Sequence, residues 1–118
     1  MSRSVDERLT DIFGRISAIG VAEGLLRGTA AGVAETAFDA ILYDLLVIGE
    51  AVKNLPVEMC ARHTEIPWSE IAKIRDVLAH VYFRVREATV RSTIDEPLAA
   101  LRAVCETELS GLHTDDDE

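Results

Sequence analysis

The sequence predicts an all-α fold, a bundle of four to five main helices formed by one domain. Three observations carry this expectation. Apolar residues recur at steps of three and four along the long stretches, no stretch alternates with period two over a useful length, and Gly- or Pro-containing breaks separate the stretches. At 118 residues the chain has the length of one domain, and a chain of that size buries roughly two-thirds of the surface its unfolded form exposes. Apolar residues make up 48% and charged residues 28%, a globular balance far from that of disordered chains. The domain is expected over residues 1–110, with an acidic, solvated tail over 111–118.

Ser4 and Glu7 have the spacing of a capping box, and Val5, Leu9, Ile12, Phe13, Ile16 and Ile19 follow on one helical face. This first helix is expected to end near Gly20 or Gly24. Residues 24–32 hold three glycines and read as a connection, with Thr29 a candidate cap for the next element.

The second helix is expected from Val33 to Leu55, with Phe38, Ile41, Leu42, Leu45, Ile48, Val52 and Leu55 on one stripe. Ala37, Ala40, Val47 and Ala51 widen that stripe beyond what one neighbouring helix covers. Such a helix is either central in the bundle or shared with another protomer, and isologous pairing is the commonest form of sharing.

Pro56 suits the opening of a short helix through Val57, Met59 and Cys60, which Ile66-Pro67 ends. Pro67 fits the first position of the next helix, and Ser69 and Glu70 favour its first turn, where the macrodipole prefers acids. Its apolar stripe is Ile71, Ile74, Val77 or Leu78, and Val81. A last segment holds Val90, Ile94, Leu98, Leu101, Val104, Cys105 and Leu109, and Pro97 is expected to kink or split it.

No apolar run reaches the roughly 18 residues of a membrane span, so the chain reads as cytoplasmic. Cys60 and Cys105 stand alone, without CxxC spacing, and read as free thiols; no clustering of carboxylates or histidines points to a metal site. His63 and His113 read as surface residues. Net charge is −9, of which Asp115 to Glu118 supply −4, the wrong sign for holding nucleic acid by broad electrostatics. From Arg75 to Arg91 the balance reverses: four arginines (75, 84, 86 and 91) face Asp76 and Glu87, a local +2. An anion would bind there.

Within that region Arg75, Asp76, His80 and Tyr82 fall among apolar residues at helical spacing. Asp76 and His80, four apart, share a helical face, so the carboxylate can orient the imidazole. Arg75 and Tyr82 share another, whereas Arg75 and His80, five apart, diverge by roughly 140°. Either the helix ends near His80, or two copies of it face each other across a composite site. An imidazole moves protons in either direction near neutrality, and a guanidinium matches phosphate geometry, so the pair can support metal-free RNA cleavage. Arg-x4-His alone is a weak pattern. A solvated arginine, a packed histidine and a half-buried tyrosine are the ordinary roles of these residues.

The run Ile48-Gly-Glu-Ala-Val-Lys-Asn-Leu-Pro56, then Glu65-Ile-Pro-Trp68, then Arg75-Asp-Val-Leu-Ala-His-Val-Tyr-Phe83 closely resembles HepT-type toxins of the HEPN superfamily. The resemblance extends from the first helix to about Leu109. It implies a HEPN-type helical bundle that homodimerises, and a metal-independent endoribonuclease that needs no cofactor. It further implies the toxin role in a type VII-like toxin–antitoxin pair, with RNA as substrate. The partner implied is a minimal nucleotidyltransferase antitoxin of the MntA type, which attaches AMP to the motif tyrosine. Carried over by position, Arg75 and His80 are the catalytic pair, Asp76 takes the polar position after the arginine, where the family often has Asn, and Tyr82 is the modified residue. Arg84 and Arg86 are the accompanying RNA-binding candidates. The alternative is a non-catalytic bundle of the same fold that binds nucleotide or a nucleotidyltransferase partner.

Overall fold

The computed structural model describes residues 3–27, 30, 32–81 and 96–116, with backbone alone at 75, 77–81 and 112–116. The described residues form five helices: α1 Val5–Leu25, α2 Val33–Lys53, α3 Val57–Ala61, α4 Trp68–Val81 and α5 Glu96–Asp116. The all-α expectation holds. α1 packs against α2 and α5, and α2 packs against α1 and α4, so the long helices run α5–α1–α2–α4 across the bundle. None of the described helices is long and apolar enough to cross a membrane.

At the start of α1, Ser4 has extended backbone and its hydroxyl accepts the Glu7 N–H at 3.1 Å, satisfying one of the first orphan donors. The return bond of the expected box is replaced by one from the Ser4 hydroxyl to the Glu7 carboxylate at 3.2 Å. α1 ends at Leu25, beside Gly24 and so at the later of the two expected ends, and runs past Gly20 because Ile19 and Ala22 are buried and packing outweighs glycine's low helix propensity. Gly32 occupies the N-cap of α2 at φ 82° with no side-chain bond, a left-handed conformation that only glycine adopts without strain. Thr29, the expected cap, lies outside the described residues.

The broad face of α2 is explained by its place between α1 and α4, which bury Ile41, Leu42, Leu45, Ile48 and Val52 together. The helix stops at Lys53 rather than Leu55, although Leu55 remains buried and its N–H reaches the Val52 carbonyl at 3.1 Å. Pro56 sits at the N-cap of α3, where its carbonyl accepts the Cys60 N–H and its missing N–H costs nothing.

Pro97 falls in the first turn of α5, where no N–H is required; the expected kink or split of the last segment involves residues before Glu96, which lie outside the described residues. Leu98, Leu101, Val104 and Cys105 then form its buried stripe, and the Arg102 guanidinium lies 4.9 Å from the Phe13 ring centroid on α1. Val90 and Ile94 lie outside the described residues. α5 extends through Asp116, into the stretch expected as an acidic tail.

Both cysteines are free thiols. Cys105 is fully buried, and that burial, helped by the neighbouring Glu106 charge, pushes its thiol from 9.0 up to about 12. Cys60 is half-buried and pushed up by burial to a lesser degree. Thiol labelling at mild alkaline pH should therefore modify Cys60 in the native protein and Cys105 only after denaturant is added. Equal native labelling rates at both would show that the α1–α5 core opens far more readily than its packing implies.

Candidate active site

α4 is placed by the corner before it. Ile66 is buried, Pro67 cannot continue a helix from α3, and the Pro67 carbonyl accepts the Ile71 N–H at 3.0 Å. Pro67 thus caps α4 from just outside, one residue before the position expected of it. The Trp68 indole N–H donates to two carbonyls at the end of α3 and in the corner, Cys60 at 3.0 Å and His63 at 2.9 Å, which also accept the backbone N–H groups of His63 and Ile66. One side chain at the first residue of α4 therefore fixes the preceding corner. This gives the Ile-Pro-Trp element a physical role.

Trp68→Phe retains the ring but deletes that shared donor. It should cost about 0.5–1.5 kcal/mol, the range for losing a hydrogen bond while both carbonyls keep their backbone partners, measurable by denaturant unfolding. An unchanged midpoint would show that water or another donor replaces the indole.

Ile71 and Ile74 are buried and define the face of α4 that packs toward the core. Taking 100° per residue, Arg75 lies about 70° from the middle of that face, and Asp76 and His80 lie roughly opposite it. The structure places Arg75, Asp76 and His80 on one continuous helix, with Asp76 half-buried. Arg75 and His80 are about 140° apart in register, as the spacing requires. Tyr82, Arg84 and Arg86 lie outside the described residues.

Two charged clusters escaped the sequence reading. Asp44 is the buried acid of α2, 4% exposed, and the Arg15 guanidinium of α1 meets its carboxylate at 3.1 Å. Arg15 also lies 6.0 Å from the Tyr43 ring centroid. A carboxylate four residues from Ala40 and Ile48 on a wide apolar stripe was the available signal, since buried acids are rare without a partner.

The second cluster corrects the reading of His63 as a surface residue. Its side chain is 16% exposed, and its ring lies between Glu65 of the corner and Glu108 of α5. The Arg62 guanidinium also pairs with Glu108, across 46 positions of sequence. No local pattern announces a contact of that range. The side chain of His113 lies outside the described residues. Among the described residues no group of three or more His, Cys, Asp or Glu is placed to hold a metal ion.

Comparison with known proteins places this arrangement in context. Residues 17–108, which include α2, α3, α4, the C-terminal part of α1 and most of α5, match the family described as ribonuclease HepT-like. The protein named "Putative RNase TTE0752" of Caldanaerobacter subterraneus is 49% identical over 55 residues, 47% of this chain and 49% of that one. "Probable ribonuclease HepT" of Thermococcus cleftensis is 41% identical over 63 residues, 53% of this chain and 57% of that one. A third relative, "Gamma-glutamylcyclotransferase and putative RNase MJ0434" of Methanocaldococcus jannaschii, is 47% identical over 47 residues, 40% of this chain and 21% of that one. The chain spans about half the length of the first two relatives. No solved structure matches it significantly.

Proposed function

For a chain that belongs to the ribonuclease HepT-like family, we propose that α4 carries the catalytic residues of a metal-independent endoribonuclease, the toxin of a toxin–antitoxin pair. The observation that carries this reading is the presence of Arg75, Asp76 and His80 on one helix within the matched residues. His80 takes the ribose 2′-OH proton or protonates the leaving 5′-oxygen, depending on its charge state at that step. Arg75 compensates the charge that builds on the phosphorane-like transition state, and a guanidinium stays charged throughout. Asp76 precedes His80 by one helical turn and orients its ring.

Because Arg75 and His80 diverge on a single helix, the complete site is composite in this reading. Two protomers of a homodimer face each other, and each supplies one member of the pair. Mixing Arg75→Ala and His80→Ala protomers should restore measurable cleavage in the heterodimer fraction. Verified heterodimers without recovered activity would assign both groups to the same chain.

The partner in this reading is a minimal nucleotidyltransferase in the same cytoplasm. It attaches AMP to Tyr82 and so places a bulky anion beside the RNA site. The decisive test of the ribonuclease itself is incubation of the purified chain with cellular RNA in excess chelator. Cleavage by the wild type that is lost in His80→Ala supports the assignment. Cleavage lost on chelation, or retained by His80→Ala, overturns the metal-free histidine mechanism.

The net charge of −9 favours a second reading, a non-catalytic bundle that binds nucleotide or the nucleotidyltransferase. That reading expects a stable complex with the nucleotidyltransferase and no RNA cleavage by either variant or wild type.

A further inference from the structure

We propose that His63 is a positioning residue, a proton-dependent clasp that holds the corner before α4 against α5 and so sets where α4 begins. This role rests on the reading of α4 as the catalytic helix. The ring and the backbone of His63 face different elements. Its carbonyl accepts the indole N–H of Trp68, the first residue of α4, at 2.9 Å. Its ring reaches Glu65 Oε1 with Nδ1 at 3.6 Å and Glu108 Oε1 with Nε2 at 3.7 Å. Both separations are longer than a normal hydrogen bond, and Nε2 is buried without a hydrogen-bond partner.

Charge counting says what closes the clasp. Among the described residues, the charged groups paired around the ring are Arg62 from the end of α3, Glu65 from the corner and Glu108 from α5, while α4 contributes the neutral indole donor. With a neutral imidazole the cluster holds two carboxylates against one guanidinium, in a place where His63 and Glu108 are 16% and 14% exposed. A proton on the imidazole balances the cluster and makes both ring nitrogens donors, each already facing a carboxylate. The proton comes from solvent and returns to it; no bond to another atom changes. Closing these contacts draws the corner toward α5. The shift passes through the His63 carbonyl to Trp68 and along the rigid helix to Arg75 and His80.

Trp68 is the sole tryptophan of the chain, so its emission reports on this corner directly. The test measures emission of the full chain against pH for wild type, His63→Gln and Glu108→Gln. The clasp predicts a transition in the wild type between acidic and mildly alkaline pH. It predicts no transition in His63→Gln and a much smaller one in Glu108→Gln, which keeps the imidazole but removes the α5 carboxylate. Equal transitions in wild type and Glu108→Gln, or none in the wild type, overturn the clasp.

RNA cleavage by the same proteins tests the positioning role. Near pH 6, kcat of both variants should fall roughly tenfold with KM little changed, the pattern of a displaced catalytic group. Near pH 8 all three should converge. Unchanged kcat in both variants overturns the role even if the emission transition is present. A wild type that cleaves no RNA removes the catalytic reading of α4 and the positioning role with it, while the emission series still decides whether the clasp exists.

Discussion

His80→Ala is expected to lower the rate of the proposed RNA cleavage by roughly 10²–10⁴-fold, the range for removing a general acid–base group. Arg75→Ala lowers it by about 10²–10³-fold, comparable to losing one preorganised donor to a developing oxyanion. Neither loss should come from unfolding. By helical register His80 lies opposite the face set by the buried Ile71 and Ile74, so its replacement by a good helix former leaves the α2–α4 packing intact. Thermal midpoints of both variants near that of the wild type would confirm that the lost rate is chemical. Arg75→Lys separates two contributions of the arginine: it keeps the charge and loses the paired donors, so most of the rate should stay lost. Rates from a continuous RNA cleavage assay with excess chelator check each value, and a His80→Ala loss under about tenfold would assign the proton transfer to another group.

Leu45→Ala destabilises the fold by about 2–5 kcal/mol, the range for truncating a fully buried leucine. Leu45 is 0% exposed at the middle of α2, between α1 and α4, where surrounding side chains can collapse only partly into the vacated space. For a domain of this size the loss should lower the thermal midpoint by roughly 10–20 °C. Val21→Ala supplies the contrast: Val21 is 70% exposed and its truncation should stay within about 0.5 kcal/mol. Calorimetry or denaturant titration of both variants checks the pair. A small effect at Leu45 would mean that α2 is not the centre of the core and that its wide apolar face is covered from outside.

The helices were legible in the sequence where apolar spacing runs long, as along Leu9 to Ile19, Ile41 to Val52 and Leu98 to Cys105. Their ends were less so. α2 stops at Lys53 rather than Leu55, and of the two ends open to α1 the later one, beside Gly24, holds because burial at Ile19 and Ala22 overrides local propensity. The site divides in the same way. That Arg75, Asp76 and His80 share one helix followed from spacing alone and holds in the structure. The contacts that depend on tertiary distance stayed invisible: the Arg15–Asp44 pair joins positions 29 apart, and the Arg62–Glu108 pair joins positions 46 apart. His63 misled the reading because a polar residue in a Pro-bounded corner looks solvated until α5 is laid over it. Trp68 was marked by the Ile-Pro-Trp element, but its two carbonyl acceptors emerge only once the corner is folded.

The central claim is that α4 makes this chain a ribonuclease toxin through His80. Its most direct measurement is growth after induction of the chain alone, without a nucleotidyltransferase gene beside it, comparing wild type with His80→Ala at matched soluble expression. The account predicts growth arrest with RNA fragmentation for the wild type and normal growth for the variant. Equal arrest by both proteins, or normal growth with intact RNA in both, would contradict it.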